Sequence, residues 1–376
     1  MVYLPDELLL QILSYLDTEA PSMTNFAQEP SLNLTVSKEH SLKSFSLVSR
    51  HFRRVALPVL FQYARVELGD HDIEVKAFEN DFRFRYQPSA RFLKLVTQQD
   101  LRRHVRSIVL YTACTVHRGS PEVIITPMAW SIWVGLFARI NPSRVVIAAP
   151  PSYLGWLTKY SPNERDVWAF DMPIHMLELR TSAEDACRRV PADPDFWDIL
   201  QVKEWAHLGY NEGSSLKAYS TYEYYWKNTP SCLVYMLRDL EARAKLRSVA
   251  YYAIFPLSTH VEDIARGVRR LPLIKSLHFQ LVPTPQSHLL DDSERIGKAD
   301  LTDCWQEVGE SYSAFVNAIF DMSEYPTLLS RVLISDNFSA EQSEEMDDRF
   351  DLVGESGWTK TVEGLWTREL ASADAS

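Results

Sequence analysis

Two stretches near the start of the chain are rich in apolar residues at helical spacing. In the first, leucine and isoleucine collect on one broad face, and two further residues widen it: Leu8, Leu9, Ile12, Leu13 and Leu16, then Leu10 and Tyr15. Pro5 followed by Asp6 and Glu7 suits a first helical turn, where a missing N–H costs nothing and negative charge faces the positive end of the dipole. The apolar arc is wider than a single supporting core requires. We therefore expect this helix to be covered from two sides.

The second stretch predicts another amphipathic helix, followed by a strand. Its apolar face consists of Phe45, Val48, Phe52, Val55 and Ala56. Pro58 is expected to end this helix or to begin a short third one over residues 58–61. Apolar and polar residues alternate over residues 63–68, as in a half-buried strand.

Residues 17–41 separate the two helices and lack any periodicity. They are polar and include Pro21 and Pro30, which predicts a long exposed loop that can be shortened at little cost in stability. The helices alone are too small to bury all their leucine. The surplus either packs on the rest of the same chain or forms a docking surface for another protein.

Beyond residue 68, short apolar triplets alternate with helical stretches. The first triplet is Val105-x-x-Ile108-x-Leu110, and similar ones end at Ile147 (without its first apolar residue), Leu179, Tyr251, Phe279 and Ile334. The helical stretches between them cover residues 128–140, 232–246, 261–271 and 305–322. This order is typical of parallel strands joined by helices. Residues 357–370 alternate again and predict a hairpin at the edge of the last repeat.

Composition narrows the class of protein. The 376 residues, 46% of them hydrophobic, suffice for two or three domain-sized units. A net charge of -11 disfavours nucleic acid as a partner, because phosphates repel a negative chain. Acidic residues precede the first leucines, so no secretory leader is expected, and the longest apolar run (residues 128–140) is too short to cross a bilayer. With four scattered cysteines, these features predict a soluble protein of the cytoplasm or nucleus that does not bind membranes.

The chain carries no motif of a known catalytic chemistry. It has no histidine pair at zinc-binding spacing, no glycine-rich phosphate loop and no nucleophile elbow. Its acidic pairs, Asp291–Asp292 and Asp193-x-Asp195, are typical of solvated loops. We therefore expect a protein that is not an enzyme and that needs no metal or cofactor.

The N-terminal residues resemble an F-box of the form common in fungal proteins. The resemblance rests on LPDELLLQILSYLD at residues 4–17 and LKSFSLVSRHFRRVALPVLF at residues 42–61, and it covers about the first 65 residues. It implies a three-helix module that docks on the Skp-type adaptor of cullin–RING ubiquitin ligases. The residues that match the adaptor-facing pattern of the family are Leu4, Pro5, Ile12, Leu16, Leu47, Val48 and Phe52. The departure from the family is the loop at residues 17–41, which is longer than usual.

The remainder, residues 66–376, resembles an irregular leucine-rich-repeat solenoid of alternating helices and short parallel strands. The asparagine or cysteine that should follow each repeat strand is missing, so an irregular α/β sheet domain stays open as the alternative. Together the two parts predict an α/β protein with an F-box domain at residues 1–65 and a substrate-recognition domain at residues 66–376. If the strands line a concave face, the outward positions that would contact a protein target include Tyr111, Arg180, Tyr252, His278 and Gln280.

The function implied is substrate recognition for a Skp–cullin–F-box ligase, with a protein target that the sequence does not identify. Two alternatives remain: an F-box protein with a ligase-independent binding role, and an enzyme with an unrecognised site in the α/β body. The aromatic run at residues 219–228 is a further candidate contact, because tyrosine and tryptophan carry much interface energy. Inward packing of about half of these rings is favoured over an interface.

Overall fold

The structure is a computed structural model of the chain. It describes residues 4–37, 39–68, 73–78, 81–86, 90–115, 129, 132–182, 199–240, 245–284, 287–323, 328–336, 344, 347–349 and 357–369. The acidic pair at residues 193–195 lies outside these ranges.

Four helices lie within the first 60 residues: α1 (Asp6–Leu16), α2 (Pro21–Thr24), α3 (Ser41–Val48) and α4 (Arg50–Leu60). The second apolar stretch is therefore two helices, and the prediction of one helix ending at Pro58 is wrong. Ser49 breaks the stretch because its backbone is extended (φ -159°, ψ 166°), and its side chain accepts a hydrogen bond from the N–H of Phe52 to cap α4. Pro58 lies inside α4, close to its end, so its missing N–H removes one helical hydrogen bond without ending the helix.

The helices share a small core. Leu9 and Leu13 of α1 pack against Val55 and Ala56 of α4. Further apolar residues are partly buried and pack against this core: Leu42, Phe45, Phe52, Val59 and Leu60. The rings of Phe45 and Phe52 stack with their centroids 4.6 Å apart. The buried residues of α1 are Leu9 and Leu13, so this core accounts for only part of its apolar arc.

The segment between α1 and α3 is packed rather than exposed along much of its length. Ala20, Ser22, Phe26 and Leu34 are buried. The prediction of a loop exposed throughout is therefore wrong. The segment is packed because isolated apolar residues are buried wherever another part of the fold offers a surface for them, even when their spacing shows no periodicity.

Ten strands form one sheet, and two more form a separate hairpin. The strands are β1 (Tyr63–Glu67), β2 (Ile73–Phe78), β3 (Asp81–Tyr86), β4 (Ser107–Tyr111), β5 (Arg144–Ala149), β6 (His175–Thr181), β7 (Trp205–Ser214), β8 (Ser248–Ile254), β9 (Ser276–Gln280), β10 (Arg331–Ile334), β11 (Trp358–Val362) and β12 (Leu365–Arg368). The sheet has the order β1-β4-β5-β6-β7-β8-β9-β10-β12-β11, and β2 and β3 form a two-stranded sheet. The pairs β1–β4, β4–β5, β7–β8, β8–β9 and β9–β10 are parallel.

Each predicted apolar triplet ends within a strand of this sheet. The strands β4, β5, β6, β8, β9 and β10 contain them. Along most of their length β4, β5, β6 and β8 are buried on both faces, as is typical of parallel strands, whereas burial alternates along β9 and β10. The predicted edge hairpin is confirmed, since β11 and β12 pair antiparallel and β12 pairs with β10. A mixed α/β architecture is therefore present. The solenoid stays a prediction.

Helices follow several of the strands. They are α5 (Ala90–Gln98), α6 (Pro151–Thr158), α7 (Ile199–Val202), α8 (Leu233–Leu240), α9 (Ser258–Arg269), α10 (Ser293–Ile296) and α11 (Leu301–Ser323), with a further helical run at residues 132–137. Helices α8 and α9 approach closely at Gly267, where an added Cβ would lie 2.8 Å from the Cβ of Leu237. No helix among the residues described here combines the length and the apolar character that crossing a membrane requires.

The chain divides into two compact units. The first unit consists of Met1–Phe26, Ser31–Lys159 and Glu178–Glu204, and the second of Ala27–Pro30, Tyr160–Leu177 and Trp205–Ser376. The sequence predicted a different kind of division, into an F-box domain at residues 1–65 and a recognition domain at residues 66–376 that fold independently. That division stays a prediction.

Candidate functional site

Helix α1 carries apolar side chains on its solvent side as well as on its core side. Leu4, just before the helix, and Leu8 and Ile12 within it are exposed, and they follow each other at intervals of four residues. Leu10 and Tyr15 are exposed too. Residues four apart lie above one another on a helix, so Leu8 and Ile12 form a stripe on α1, and Leu4 precedes this stripe in the chain.

The end of α3 adds two more exposed apolar residues. Leu47 is 75% exposed and Val48 is 65% exposed, directly before the extended backbone of Ser49. Helix α1 packs against both α3 and α4. We call the five residues Leu4, Leu8, Ile12, Leu47 and Val48 the N-terminal apolar surface.

The adaptor-contact residues inferred from the resemblance divide into two groups. Leu4, Pro5, Ile12, Leu47 and Val48 are exposed, whereas Leu16 and Phe52 are half-buried. The Phe52 ring stacks on Phe45 within the helix core, so it also supports the fold. Leu8 was missing from the inferred set, although its spacing of four residues from both Leu4 and Ile12 was a signal that could have found it.

An acidic residue fastens the start of α1 to α4. The carboxylate of Asp6 lies 3.1 Å from Nε2 of His51 and 3.3 Å from Nη2 of Arg54. Exposed ion pairs of this kind contribute little to stability.

Two of the residues predicted to contact a target belong to the first unit, and both are engaged within it. The hydroxyl of Tyr111 donates to Glu67 at 3.1 Å, and the guanidinium of Arg65 lies 3.8 Å from the Tyr111 ring centroid. Arg180 donates to Glu178 at 2.6 Å, and the same carboxylate pairs with the buried Arg144.

The other three belong to the second unit and are more covered than expected. The Tyr252 hydroxyl lies 2.9 Å from Nδ1 of His278, and Nε2 of that ring lies 2.6 Å from Oγ of Ser335. Burial lowers the pKa of His278 to about 4, so the ring is neutral near pH 7. Tyr252 and Gln280 are buried. The structure thus brings Tyr252 and His278 together, but as part of an internal hydrogen-bond chain, and their contact with a target stays a prediction.

The aromatic run at residues 219–228 separates into inward and outward rings. Tyr219 is buried and donates to the carbonyl of Phe255 at 3.0 Å. Tyr222 is 90% exposed, and Tyr225 and Trp226 are exposed too. Trp168, also exposed, lies 4.9 Å from Nζ of Lys227, next in the chain to Trp226. We call Trp168, Tyr222, Tyr225 and Trp226 the aromatic cluster.

The second unit also encloses a buried polar network. Glu212 is fully buried, with Nε2 of His260 at 3.0 Å and the donating hydroxyl of Tyr251 at 2.8 Å. Burial by itself raises the pKa of Glu212, but the opposing charge and hydrogen bond of His260 lower it overall, which keeps the carboxylate ionised. His260 also lines a cleft of about 240 Å³ with other polar residues: Asn163, Lys227, Asn228, Thr229, Ser231, Arg238, Thr259 and Asp263.

The remaining candidate chemistry has structural explanations. Asp292 caps α10 by accepting from the N–H groups of Glu294 and Arg295, and Asp291 is exposed at the surface. Within the described ranges, His, Cys, Asp and Glu form no group of three that could hold a metal ion.

Comparison with known protein families finds a relationship for the N-terminal helices. The family described as F-box-like matches residues 1–63, which contain α1 to α4 and the whole N-terminal apolar surface. No curated protein and no solved structure is similar enough to the chain to count as a match.

Proposed function

We propose that this protein is a substrate-recognition adaptor of a Skp–cullin–F-box ubiquitin ligase. The N-terminal apolar surface binds the Skp-type adaptor, and the second unit holds a protein target. The observation that carries the proposal is the coincidence of the F-box-like match with the exposed leucine and valine of α1 and α3. F-box domains as a class bind Skp-type adaptors in cullin ligases.

The docking energy would come mainly from apolar burial. Covering one large aliphatic side chain contributes about 1.5–3 kcal/mol, and the surface offers five such residues. Leu47 and Val48 are the most exposed of the five. Burial by a partner would therefore remove the largest apolar area from water at these two residues, and we expect them to contribute most to the binding free energy.

Under this proposal the chain brings a target close to the ligase and does not itself catalyse a reaction. Binding a target near the ligase raises the effective concentration of its lysines near the ubiquitin donor, so no catalytic residue is needed here. Under this proposal the Glu212–His260 pair stabilises a buried charge within the fold. Cys114 and Cys304 are free thiols, which supports a reducing compartment such as the cytoplasm or nucleus.

The aromatic cluster is the most exposed candidate for the target contact. Large aromatic side chains bury much area at little entropic cost and dominate binding energy at interfaces. Tyr222 and Trp226 are the most accessible of these rings. Either ring exchanged for aspartate should weaken the capture of a target and leave adaptor binding unchanged.

Adaptor binding is tested with the purified full chain and a recombinant Skp-type adaptor. The double substitution Ile12→Asp and Leu47→Asp should weaken binding at least 100-fold in titration calorimetry, because it places two charges in an apolar interface. Gln11→Asp adds the same charge at an exposed polar position of α1 and should bind like the parent.

Equal binding by the parent and the double variant, with melting curves that show both folded, would exclude the docking surface. Binding of the adaptor without incorporation of the cullin and RING subunits in size-exclusion chromatography would favour the ligase-independent role instead.

A further inference from the structure

A short piece of the segment between α1 and α3 is held by the second unit as a ligand would be. Residues Ala27–Pro30, with the sequence Ala-Gln-Glu-Pro, belong to that unit, and we call them the AQEP segment. The carbonyl of Gln28 accepts a hydrogen bond of 2.7 Å from the amide nitrogen of Asn211. The carbonyl of Ala27 accepts one of 3.4 Å from the amide nitrogen of Gln280. Two successive backbone carbonyls are thus read by two side-chain amides.

The next two residues are recognised through their side chains. Glu29 forms a two-pronged ion pair with Arg295, in which Nη1 donates to Oε2 at 2.7 Å and Nη2 donates to Oε1. The hydrogen bond to Glu29 raises the pKa of Arg295, so the guanidinium stays charged. Pro30 lies over Gly213, where an added Cβ would be only 3.2 Å from Cδ of the proline ring. Any larger residue at position 213 would push the proline away.

The second unit positions these groups with local features that a simple strand lacks. The β7–β8 register shifts between Asn211 and Gly213, and Gly213 has φ of +84°, which favours glycine. Such a bulge redirects neighbouring side chains, and it allows Asn211 to donate to Gln28 while its own Oδ1 accepts from the N–H of Gly213 at 3.0 Å. Asp292 caps α10 and thereby sets the position of Arg295.

Buried amides are costly unless they are paired, and the AQEP segment provides part of that pairing. Asn211 is 2% exposed and Gln280 is 5% exposed. Side-chain amides that read backbone carbonyls do not depend on the identity of the residues that carry those carbonyls. The arginine selects a carboxylate with fork geometry, and the glycine leaves room for a flat ring.

We propose that Asn211, Gln280, Arg295 and Gly213 form a binding site for an acidic peptide in a bent conformation, in which glutamate precedes proline, and that the AQEP segment, which itself lies in a turn and a bend, occupies this site as an internal mimic. A peptide of another protein can make the same four contacts. That this peptide belongs to a target of the ligase rests on the function proposed above.

The internal segment competes by its effective concentration. A tethered segment of this kind acts like a ligand at about millimolar concentration, so a peptide of moderate affinity binds the parent protein only weakly. Weakening the internal contact by one substitution should therefore expose the site without removing any residue that forms it.

The test measures the binding of a fluorescein-labelled decapeptide with the sequence of residues 24–33 to the full chain, by fluorescence anisotropy. Glu29→Gln should bind the peptide at least tenfold more tightly than the parent does, because the internal segment has lost its ion pair. Adding Arg295→Gln should abolish this gain. A peptide with glutamine in place of its glutamate should bind Glu29→Gln at least tenfold more weakly than the acidic peptide does.

Arg266→Gln in the Glu29→Gln background is the matched control. Arg266 is an exposed arginine of the same unit that pairs with Glu262, so its loss should leave peptide binding unchanged. A folded Glu29→Gln protein that does not bind the peptide, or that binds the acidic and neutral peptides equally, would overturn the proposal.

Hydrogen exchange on the parent protein gives a second readout if Glu29→Gln does not fold. Saturating peptide should accelerate exchange at the amides of Asn25 and Leu34, whose N–H groups donate to the carbonyls of Pro21 and Ser31 on either side of the internal segment. Unchanged exchange at both amides contradicts displacement. Both measurements use the chain without the Skp-type adaptor. A failure of adaptor docking therefore leaves the peptide result intact, and the reverse also holds.

Discussion

The N-terminal helices leave leucine and valine in solvent, whereas the second unit takes glutamate, asparagine and aspartate out of it. Leu47 and Val48 are exposed beside a core of only four buried residues. In the second unit, Asp336 is buried and accepts from the N–H of Leu281 at 2.6 Å and from the hydroxyl of Tyr312.

The difference indicates where each region finds its partners. Buried polar groups must be paired within the fold, because an unpaired one costs about 1–3 kcal/mol. Exposed apolar residues cost the folded chain little, and they gain free energy when another protein covers them. The buried polar groups of the second unit therefore find their hydrogen-bond partners largely within that unit, whereas the exposed apolar residues of the N-terminal helices are suited to binding another protein. The following predictions test this contrast, from the largest expected effect to the smallest.

Removing the buried arginine of the first unit should cause the largest loss of stability. Arg144 pairs with Glu178 and donates to the carbonyl of Ser22 at 2.6 Å. Arg144→Ala leaves buried Glu178 short of its main partner, so we expect the free energy of unfolding to fall by about 4 kcal/mol in urea titrations. Arg180→Ala removes the exposed partner of the same carboxylate and should cost less than about 1 kcal/mol. Equal losses for both variants would show that burial does not decide the effect.

Two residues of the segment between α1 and α3 should differ sharply. Phe26 is 4% exposed and Val36 is 57% exposed. Phe26→Ala should lower the free energy of unfolding by about 3 kcal/mol, because it leaves a cavity, whereas Val36→Ala should change it by less than about 0.5 kcal/mol. Thermal and urea unfolding measure both. If Phe26→Ala leaves the free energy of unfolding unchanged, this segment is a loop that does not stabilise the fold.

Acidification should destabilise the second unit through a buried histidine. Burial lowers the pKa of His175 to about 4, below the value near 6.5 in the unfolded chain. The unfolded chain therefore binds a proton that the folded chain does not as the pH falls from 6.5 to 4, and stability is lost through that window by about 2–3 kcal/mol. His175→Gln should make this limb of the stability curve shallower, and the slope that remains comes from His278, whose pKa burial also lowers to about 4.

Asp336 contributes the opposite slope. Burial raises its pKa to about 7, so its effect is a loss of stability as the pH rises from about 4 to 7. Asp336→Asn should remove this slope while the slope from His175 remains. Urea unfolding across this pH range, with each variant measured beside the parent, separates the two contributions.

Charging the N-terminal apolar surface should have the smallest effect on stability. Leu47→Asp should change the free energy of unfolding by less than about 0.5 kcal/mol, because the side chain is already in solvent. Leu9→Asp on the core side of α1 should unfold the helices. Circular dichroism of both variants makes the comparison, and a large loss for Leu47→Asp would show that this surface is covered within the chain.

Local patterns along the chain determined a good part of this architecture. Helical spacing marked α1, and the apolar triplets marked the positions of β4, β5, β6, β8, β9 and β10. The alternating C-terminal residues marked the β11–β12 hairpin. The excess leucine of α1 indicated a second covered side and led to the F-box resemblance, which the match at residues 1–63 supports. These features depend on residues a few positions apart, so periodicity reports them directly.

Contacts between distant residues were decided only by the tertiary structure. Nothing near Glu29 in the sequence indicates Arg295, and nothing near Ser22 indicates Arg144. The burial of Tyr252 and Gln280, expected to face outward, depends likewise on what the rest of the chain places over them. A side chain's exposure follows from which surfaces meet in three dimensions, and a single sequence records the pattern of each surface but not its partner.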